Sequence, residues 1–392
     1  MRLKPWQVTP VLLAPVLLAA QEAPAPPTAE QVKALEERLR KLEEELRAQR
    51  SAPPEATPEP ARLGGAGGAA TKALNPDISL IGNFLGSVGN NEVNPEPALD
   101  MHEAELGLQA VVDPYSRGDV FLAFGKEGVS VEEAFLSFNA LPGGFLAKVG
   151  KMRAAFGKVN PSHTHSLHWT DRPLVTGNLV GGEDGINDMG ISVSHVLPAP
   201  GDFYLEATAQ VFKGDSEGIY ASHQKKDLIQ VGHLKGYQDL TENTNLEVGY
   251  SYSRGHNELG SDFLTTLQGV DLTLRWKPLA RSIYTSFQWR TEFIWSRRDQ
   301  LAGAQRSKGM YSDLEYRMNQ RWTFGARFDR SARAEDATKV DRGFSGLATY
   351  WMSEFSQLRG QYRVTRYDGA RDAHEFKLQL LFVMGAHGAH PF

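Results

Sequence analysis

None of the 392 residues is a cysteine, which excludes a disulfide framework and any thiolate metal site. No apolar run approaches the roughly 18–20 residues that a membrane-spanning helix needs. If this chain crosses a bilayer, it does so with strands. The cluster Gly64-Gly65-Ala66-Gly67-Gly68 lacks a following Lys-Ser/Thr and a strand–helix setting, so it is not a phosphate-binding loop. The net charge is only −5, and no nucleic-acid partner is expected. Mean hydropathy is −0.38, which does not separate a soluble protein from a membrane barrel, because alternating strands average out in any bulk index. Charge is unevenly distributed, however. From Asp271 onward there are 20 Lys and Arg against 13 Asp and Glu, so the last third is basic and the remainder carries −12.

What is present starts with the pattern of a secretory signal over residues 1–20. Arg2 and Lys4 precede an apolar core, Val11 to Leu18, and Leu18-Ala19-Ala20 before Gln21 forms a small-residue cleavage site. Within residues 21–50, Val32, Leu35, Leu39, Leu42 and Leu46 recur at spacings of 3 and 4. That is a coiled-coil seam nearly three heptads long, with Thr28 and Gln31 as its capping box. A lone helix this short is marginal in water, so the seam calls for partners, and a trimer is the expected state. Residues 51–76 are rich in Pro, Ala and Gly, have little to bury, and read as a linker.

From 77 to 392 the pattern changes to period two, and sixteen alternating segments can be placed. They centre on Ile81, Gly107, Leu122, Phe135, Val149, Val193, Ala207, Val231, Val248, Leu272, Trp289, Leu314, Ala326, Ala348, Tyr362 and Leu380. One face of each is apolar and the other is mainly polar, as in a strand with lipid on one side and water on the other. Tight joins such as Leu141 to Gly144 alternate with longer polar ones: 89–100, 214–226, 255–262 and 298–308. A soluble sandwich or small barrel would turn its apolar face inward. A closed sheet of sixteen strands instead leaves an aqueous lumen. The expected fold is therefore all-β, a 16-stranded antiparallel transmembrane barrel preceded by a short coiled coil. The closing run, Phe376 to Phe382, and the final Phe392 are expected to engage the barrel-assembly machinery. An even strand count leaves both chain ends on the short-turn, periplasmic side.

One connection stands apart. Residues 156–185, the third of the long-loop series, contain His163, His165, His168, Trp169, Asp171, Arg172 and the turn Gly181-Gly182-Glu183-Asp184-Gly185. A loop this long usually has a function, and here it is expected to fold inward and narrow the lumen. The run Lys151-Met152-Arg153-Ala154-Ala155-Phe156-Gly157-Lys158, then Asp171-Arg172-Pro173-Leu174, then Gly185 to Gly190 leading into a strand, resembles the phosphate-selective porin O and P family. In that family a G-x-x-K/R-x-x-F strand is followed by an E-R-P/S loop and a G-R-D-x-G return. Asp171 stands where the family has Glu, and the return lacks its arginine. The resemblance implies a trimeric channel and points to phosphate among its solutes.

Parity assigns the pore wall. Lipid-facing Lys151 and Arg153 at mid-membrane would cost about 2–4 kcal/mol each, so they are expected to face the lumen. Leu146, Met152, Ala154 and Phe156 then face lipid, and Lys148 snorkels outward near the rim. The same rule turns Arg275, Arg290, Arg327, Arg359, Arg363 and Lys377 inward, beside Glu103, Glu105, Glu206, Glu247, Asp271, Glu292 and Asp329. Rings of charge select ions, and the cationic strip predicts an anion preference.

His163, His165 and His168 could instead meet on Zn²⁺ or Cu²⁺, giving a metal-binding or metal-uptake channel. Ser162 and Ser166 lie near histidines, but nothing in the spacing fixes a triad, so no catalytic role and no cofactor are expected. The expectation is a passive outer-membrane porin for small ions and hydrophilic solutes, embedded in the lipid bilayer of the cell outer membrane with its N-terminal segment in the periplasm. A structural barrel with an occluded lumen is the third possibility.

Overall fold

Alternation of apolar and polar side chains organises the chain from residue 77 into β1 (Asp77–Asn90), β2 (Leu99–Asp113), β3 (Ser116–Gly125), β4 (Gly128–Leu141), β5 (Phe145–Arg153) and β6 (Asn187–Leu197). It continues through β7 (Tyr204–Phe212), β8 (Ile229–Thr241), β9 (Thr244–Asn257), β10 (Gly260–Trp276) and β11 (Ser286–Gln300). The last five are β12 (Gly303–Arg317), β13 (Trp322–Ala332), β14 (Val340–Ser353), β15 (Ser356–Arg366) and β16 (Ala373–Gly385). Each strand pairs antiparallel with its neighbours in sequence, and β1 pairs with β16, with Ile81 opposite Val383, to close the barrel. Closure leaves no strand edge, which is what a sheet in hydrocarbon requires.

The computed structural model describes Glu37, Arg40 and residues 76–125, 128–282 and 284–385. The chain divides into two units, Met1–Ala66 and Gly67–Phe392. Glu37 and Arg40 are helical and exposed. The signal segment, the coiled-coil seam residues, all of the linker but Pro76, and Phe392 lie outside the described residues. Each of the sixteen expected centres falls within one of the sixteen strands.

The two faces separate as alternation demands. On β9, Val248 and Tyr250 are exposed on the outside, whereas Ser251 and Ser253 are buried within. On β16, Phe376 and Leu378 face out and Lys377 and Gln379 face in. Connections at the rim bearing the ends of β1 and β16 are mostly short, such as 114–115, 242–243 and 354–355. The opposite rim carries the longest connections, 154–186 and 213–228, but also two-residue turns at 258–259 and 301–302. Here the structure corrects the sequence reading, which placed long loops over 255–262 and 298–308. The ladder instead runs on through Arg298–Gln305 to Gln300–Gly303. Polar residues on both faces read as loop, yet a strand that projects past the hydrocarbon can carry them on either side.

The lumen is not uniformly polar. Phe212, Ile229, Val231, Leu267, Ile294 and Tyr311, from strands β7 to β12, turn inward and form one buried cluster with Met152, Ala154, Phe156, Val159, Leu167, Val175, Leu179 and Val180. This apolar patch on the wall is where the third loop sits.

Candidate functional site

The loop 154–186 enters the lumen at Gly157 and leaves it at Gly185, both at φ 62°, a left-handed conformation that glycine adopts without strain. The Gly157 amide donates to Ser251 Oγ (2.8 Å), and a side chain at this position would collide with the Glu292 carboxylate. At the base of the loop, Asn160 Nδ2 donates to the carbonyls of Ala154 (2.9 Å) and Ile186 (3.1 Å), while the Ile186 amide donates to Asn160 Oδ1 (2.8 Å). The two loop ends are thereby tied together. Phe156, fully buried with Val175 and Ile186 in the same cluster, adds roughly 1.5–3 kcal/mol of hydrophobic anchoring. A short helix, α1 (Leu174–Leu179), buries Leu174, Val175, Thr176 and Leu179.

Two polar locks hold the rest of the loop. The first is acidic on the wall and imidazole on the loop. His163 meets Glu105 (2.7 Å) and Glu132 (2.5 Å) through Nδ1 and Glu133 (2.7 Å) through Nε2. His165 lies 3.3 Å from Glu103 and 3.8 Å from Glu105. Glu132 is the extra residue of a bulge, since Phe121 pairs with Glu133 and Leu122 with Val131. The bulge lets consecutive glutamates reach one histidine. Burial opposes charge on His163, but its hydrogen bonds to Glu105, Glu132 and Glu133 outweigh it and hold the pKa well above the ordinary imidazole value. Burial dominates at His165, drawing it to about 4 against the pull of Glu105. The two neighbouring rings are thus pushed in opposite directions.

The second lock runs from the loop to β13 and β15. Asp171 accepts from Arg327 (3.1 Å), from Arg363 and from Gln361 Nε2 (2.5 Å). Arg327 also bonds Asp329 (2.8 Å) and stacks on Trp169, 4.8 Å from its ring centre. Nearby, Arg359 donates to the Leu167 carbonyl (2.9 Å). Burial raises the Asp171 pKa, yet Arg327, Arg363 and Lys377 together bring it well below the usual carboxylate range.

The loop residues named from sequence therefore divide among separate tasks. His163 and His165 converge, whereas His168 lies apart and pairs with Glu315 (2.8 Å). Arg172 donates to the carbonyls of Val159 (3.1 Å) and Ser162 (2.7 Å), closing the loop on itself. Glu183 pairs with His102 (3.0 Å). Arg153 donates to the carbonyls of Glu183 (3.3 Å) and Asp184 (2.8 Å), and is buried by the loop rather than open to solvent.

On β5 the expected parity is overturned. Lys151 stands opposite Ala134 and the exposed Met189, on the outward face, with its ammonium 2.6 Å from the Val131 carbonyl. It lies near the end of the strand, where a lysine can snorkel at small cost. Lys148, expected outward, lies opposite the buried Ser137 and Ser192 and sits 4.6 Å over the Phe135 ring. Met152, Ala154 and Phe156 pack into the loop cluster, not against lipid. Arg153, the last residue of β5, shares the parity of Lys151, but its guanidinium is drawn to the loop carbonyls of Glu183 and Asp184.

The arginines of the later strands lie on the inner face, most of them beside carboxylates. Arg290 bonds Asp313 (2.7 Å) and approaches Glu315 (3.5 Å), and Arg275 bonds Glu247 (3.0 Å). Below the loop, toward the short-turn rim, a cavity of about 290 Å³ is lined by His168, Arg275, Lys277, Arg317 and Arg359, with Glu315 as the single carboxylate among the described lining residues. Sequence reading missed Glu132, Glu133, Glu315, Arg317 and Gln361. The inward parity of Glu315 and Arg317 was legible, but the meeting of Glu315 with His168 of the loop was not.

No family model matches the chain. An uncharacterized protein of Aquifex aeolicus (strain VF5) is 30% identical over 387 residues, covering 82% of this chain and 81% of that protein. Among solved structures, the anion-selective porin from Comamonas acidovorans superposes with TM-score 0.54 at 10% identity, over 79% of this chain and 100% of its own. The trimer form of OmpT, an outer-membrane protein of Vibrio cholerae, gives 0.53 at 12% identity, over 79% and 100%. These likenesses show the fold, a porin-like antiparallel β-barrel. The chain belongs to the same family as the Aquifex aeolicus protein.

Proposed function

We propose that the protein is a passive porin of the cell outer membrane in which small hydrophilic solutes cross a lumen narrowed by the third loop, with anions favoured. The cavity beneath the loop carries this reading, because among its described lining residues four cations and His168 stand with one carboxylate, Glu315, and Arg275 alone of the four also bonds a carboxylate outside the lining, Glu247. Cations lining the narrow part of a pore lower the energy of a passing anion. Phosphate among those anions rests on the motif resemblance at Lys151 to Lys158 and Asp171 to Leu174. A trimer is supported by the seam over residues 21–50 and by the trimer form of the OmpT neighbour. The short-turn rim, with the ends of β1 and β16, is assigned to the periplasm and the long-loop rim to the exterior, as in barrels of this kind.

The test is the zero-current potential of the purified protein in a planar bilayer under a potassium chloride gradient. It should move toward the chloride equilibrium value; movement toward potassium would overturn the anion preference. Because Lys151 faces outward, Lys151→Glu should leave that potential unchanged, and a shift would return Lys151 to the pore wall.

A second reading, metal binding, gains support from one observation. Ligand atoms of Glu105, His163 and His165 lie within 4.8 Å of one another, a donor set suited to Zn²⁺. His168 does not join them. Calorimetric titration of the folded protein with Zn²⁺ decides the matter. One ion per chain, lost in His163→Ala, supports a metal site; absence of heat leaves the cluster as a lock of ion pairs.

A further inference from the structure

The outer wall carries a basic groove that conduction does not use. Outward-facing Arg254, Arg297, Arg306, Lys308 and Arg330 line a groove of about 890 Å³ across β9 to β13, with Asp299 as its one carboxylate among the described lining residues. The registers put these side chains in rows. Thr266 lies opposite both Arg254 and Arg297, and Arg297 lies opposite Arg306. Arg330 lies opposite Arg342, which in turn lies opposite Arg366. Like charges directly across a sheet are destabilising, and few carboxylates offset them. Arg297 has Asp299 at 3.7 Å and Arg366 has Asp372 at 3.2 Å. Among the described residues, Arg254, Arg306, Lys308, Arg330 and Arg342 form no ion pair.

The height of these rows identifies what neutralises them. Exposed aromatic side chains accompany the arginines two positions away on the same face: Trp295 before Arg297, Phe328 before Arg330 and Phe344 after Arg342. Tyr252 likewise precedes Arg254 and lines the groove. Aromatic girdles mark the boundary between hydrocarbon and headgroups. Two residues along a strand rise about 7 Å, which takes the guanidinium groups from that boundary toward the headgroup layer on the long-loop side. Guanidinium groups match phosphate oxygens bidentately.

We propose that this groove binds the phosphate-bearing headgroup of a lipid in the leaflet at the long-loop rim, the outer leaflet in the orientation given above. The inference rests on the membrane reading of the barrel but not on its conductance. Lipid retention and current are separate readouts, so a silent pore and an empty lipid site are distinguishable. A bound lipid of this kind would cement neighbouring strands whose charges otherwise repel.

The experiment is native mass spectrometry of the full-length, detergent-solubilised protein, titrated with dioleoyl phosphatidic acid or, in parallel, dioleoyl phosphatidylcholine. The wild type should retain phosphatidic acid at concentrations where the zwitterionic lipid is lost. A basic residue near an anionic surface contributes about fivefold in affinity, so R306S/R330S/R342S should bind roughly a hundredfold more weakly. The R306K/R330K/R342K variant, which keeps the charge but loses the fork, should retain part of the binding. If the serine variant fails to assemble, the single variants R306S and R342S carry the test, each losing about fivefold. Unchanged affinity in folded serine variants, equal retention of both lipids, or full displacement by excess inorganic phosphate would overturn the proposal. So would dissociation of the oligomer in the serine variant with lipid retention per chain unchanged, which would make this face a contact between copies.

Discussion

Asp171→Ala should release the third loop from the β13–β15 wall and enlarge the pore. Arg327 is fully buried and Arg363 nearly so; Arg327 divides its charge between Asp171 and Asp329, whereas Arg363 has Asp171 as its one ion-pair partner among the described residues. Removing one partner of a buried ion pair costs about 3–5 kcal/mol. The barrel, closed by its own ladder, survives that loss; the loop segment around Asp171 does not stay in place. Single-channel conductance should rise, with larger current noise, and proteolysis should nick the chain between residues 158 and 181. Asp171→Asn keeps a bond to Gln361 and should fall between wild type and Ala. An unchanged conductance and an uncleaved loop in Asp171→Ala would show that the apolar cluster alone holds it.

The pH dependence of this lock follows in sign. The folded Asp171 has a depressed pKa, burial notwithstanding, because Arg327, Arg363 and Lys377 surround it. Such a group contributes stability above its unfolded pKa of about 3.9 and loses it only as pH falls through the lower folded value. The Asp171 contacts should therefore persist at pH 4–5, and wild-type conductance should not mimic Asp171→Ala there. Opening of the wild-type pore at pH 5 that the alanine variant lacks would contradict the assignment.

The second large effect concerns selectivity. The triple variant R275Q/R317Q/R359Q removes three of the four fixed cations around the cavity below the loop and leaves Glu315 and Glu247 in place. At an effective dielectric constant between 20 and 80, a unit charge about 5 Å from an ion's path changes its energy by roughly 1–3 kcal/mol. The chloride-to-potassium permeability ratio should fall at least fivefold, and the zero-current potential should cross toward potassium. Retention of the wild-type ratio would move the selective region elsewhere in the lumen.

Strand positions were legible because period two survives any error in strand ends. Inward arginines such as Arg290 and Arg327 were legible because burying a cation in hydrocarbon is costly. That same rule misled on β5, where Lys151 is close enough to the strand end to escape. A better signal lay in Met152, Ala154 and Phe156, whose apolar run leads directly into the loop and belongs to its core. Leu267 and Ile294 carried a related clue, being apolar side chains at positions whose neighbours on the same face, Thr265 and Glu292, are polar. The third loop announced itself by length and histidine content. Which carboxylates meet those histidines depends on a bulge at Glu132 that periodicity does not reveal. The strands through 255–262 and 298–308 were hidden for a different reason: beyond the hydrocarbon, composition no longer distinguishes a ladder from a loop.

A folded, heat-modifiable preparation inserted into a planar bilayer at symmetric salt measures the central claim directly. Discrete, ohmic current steps are the predicted result, since water fills whatever the third loop leaves open between its two locks and the opposite wall. A membrane that stays electrically silent, with insertion of the protein verified independently, would mean that the loop seals the barrel and that the conducting role is wrong.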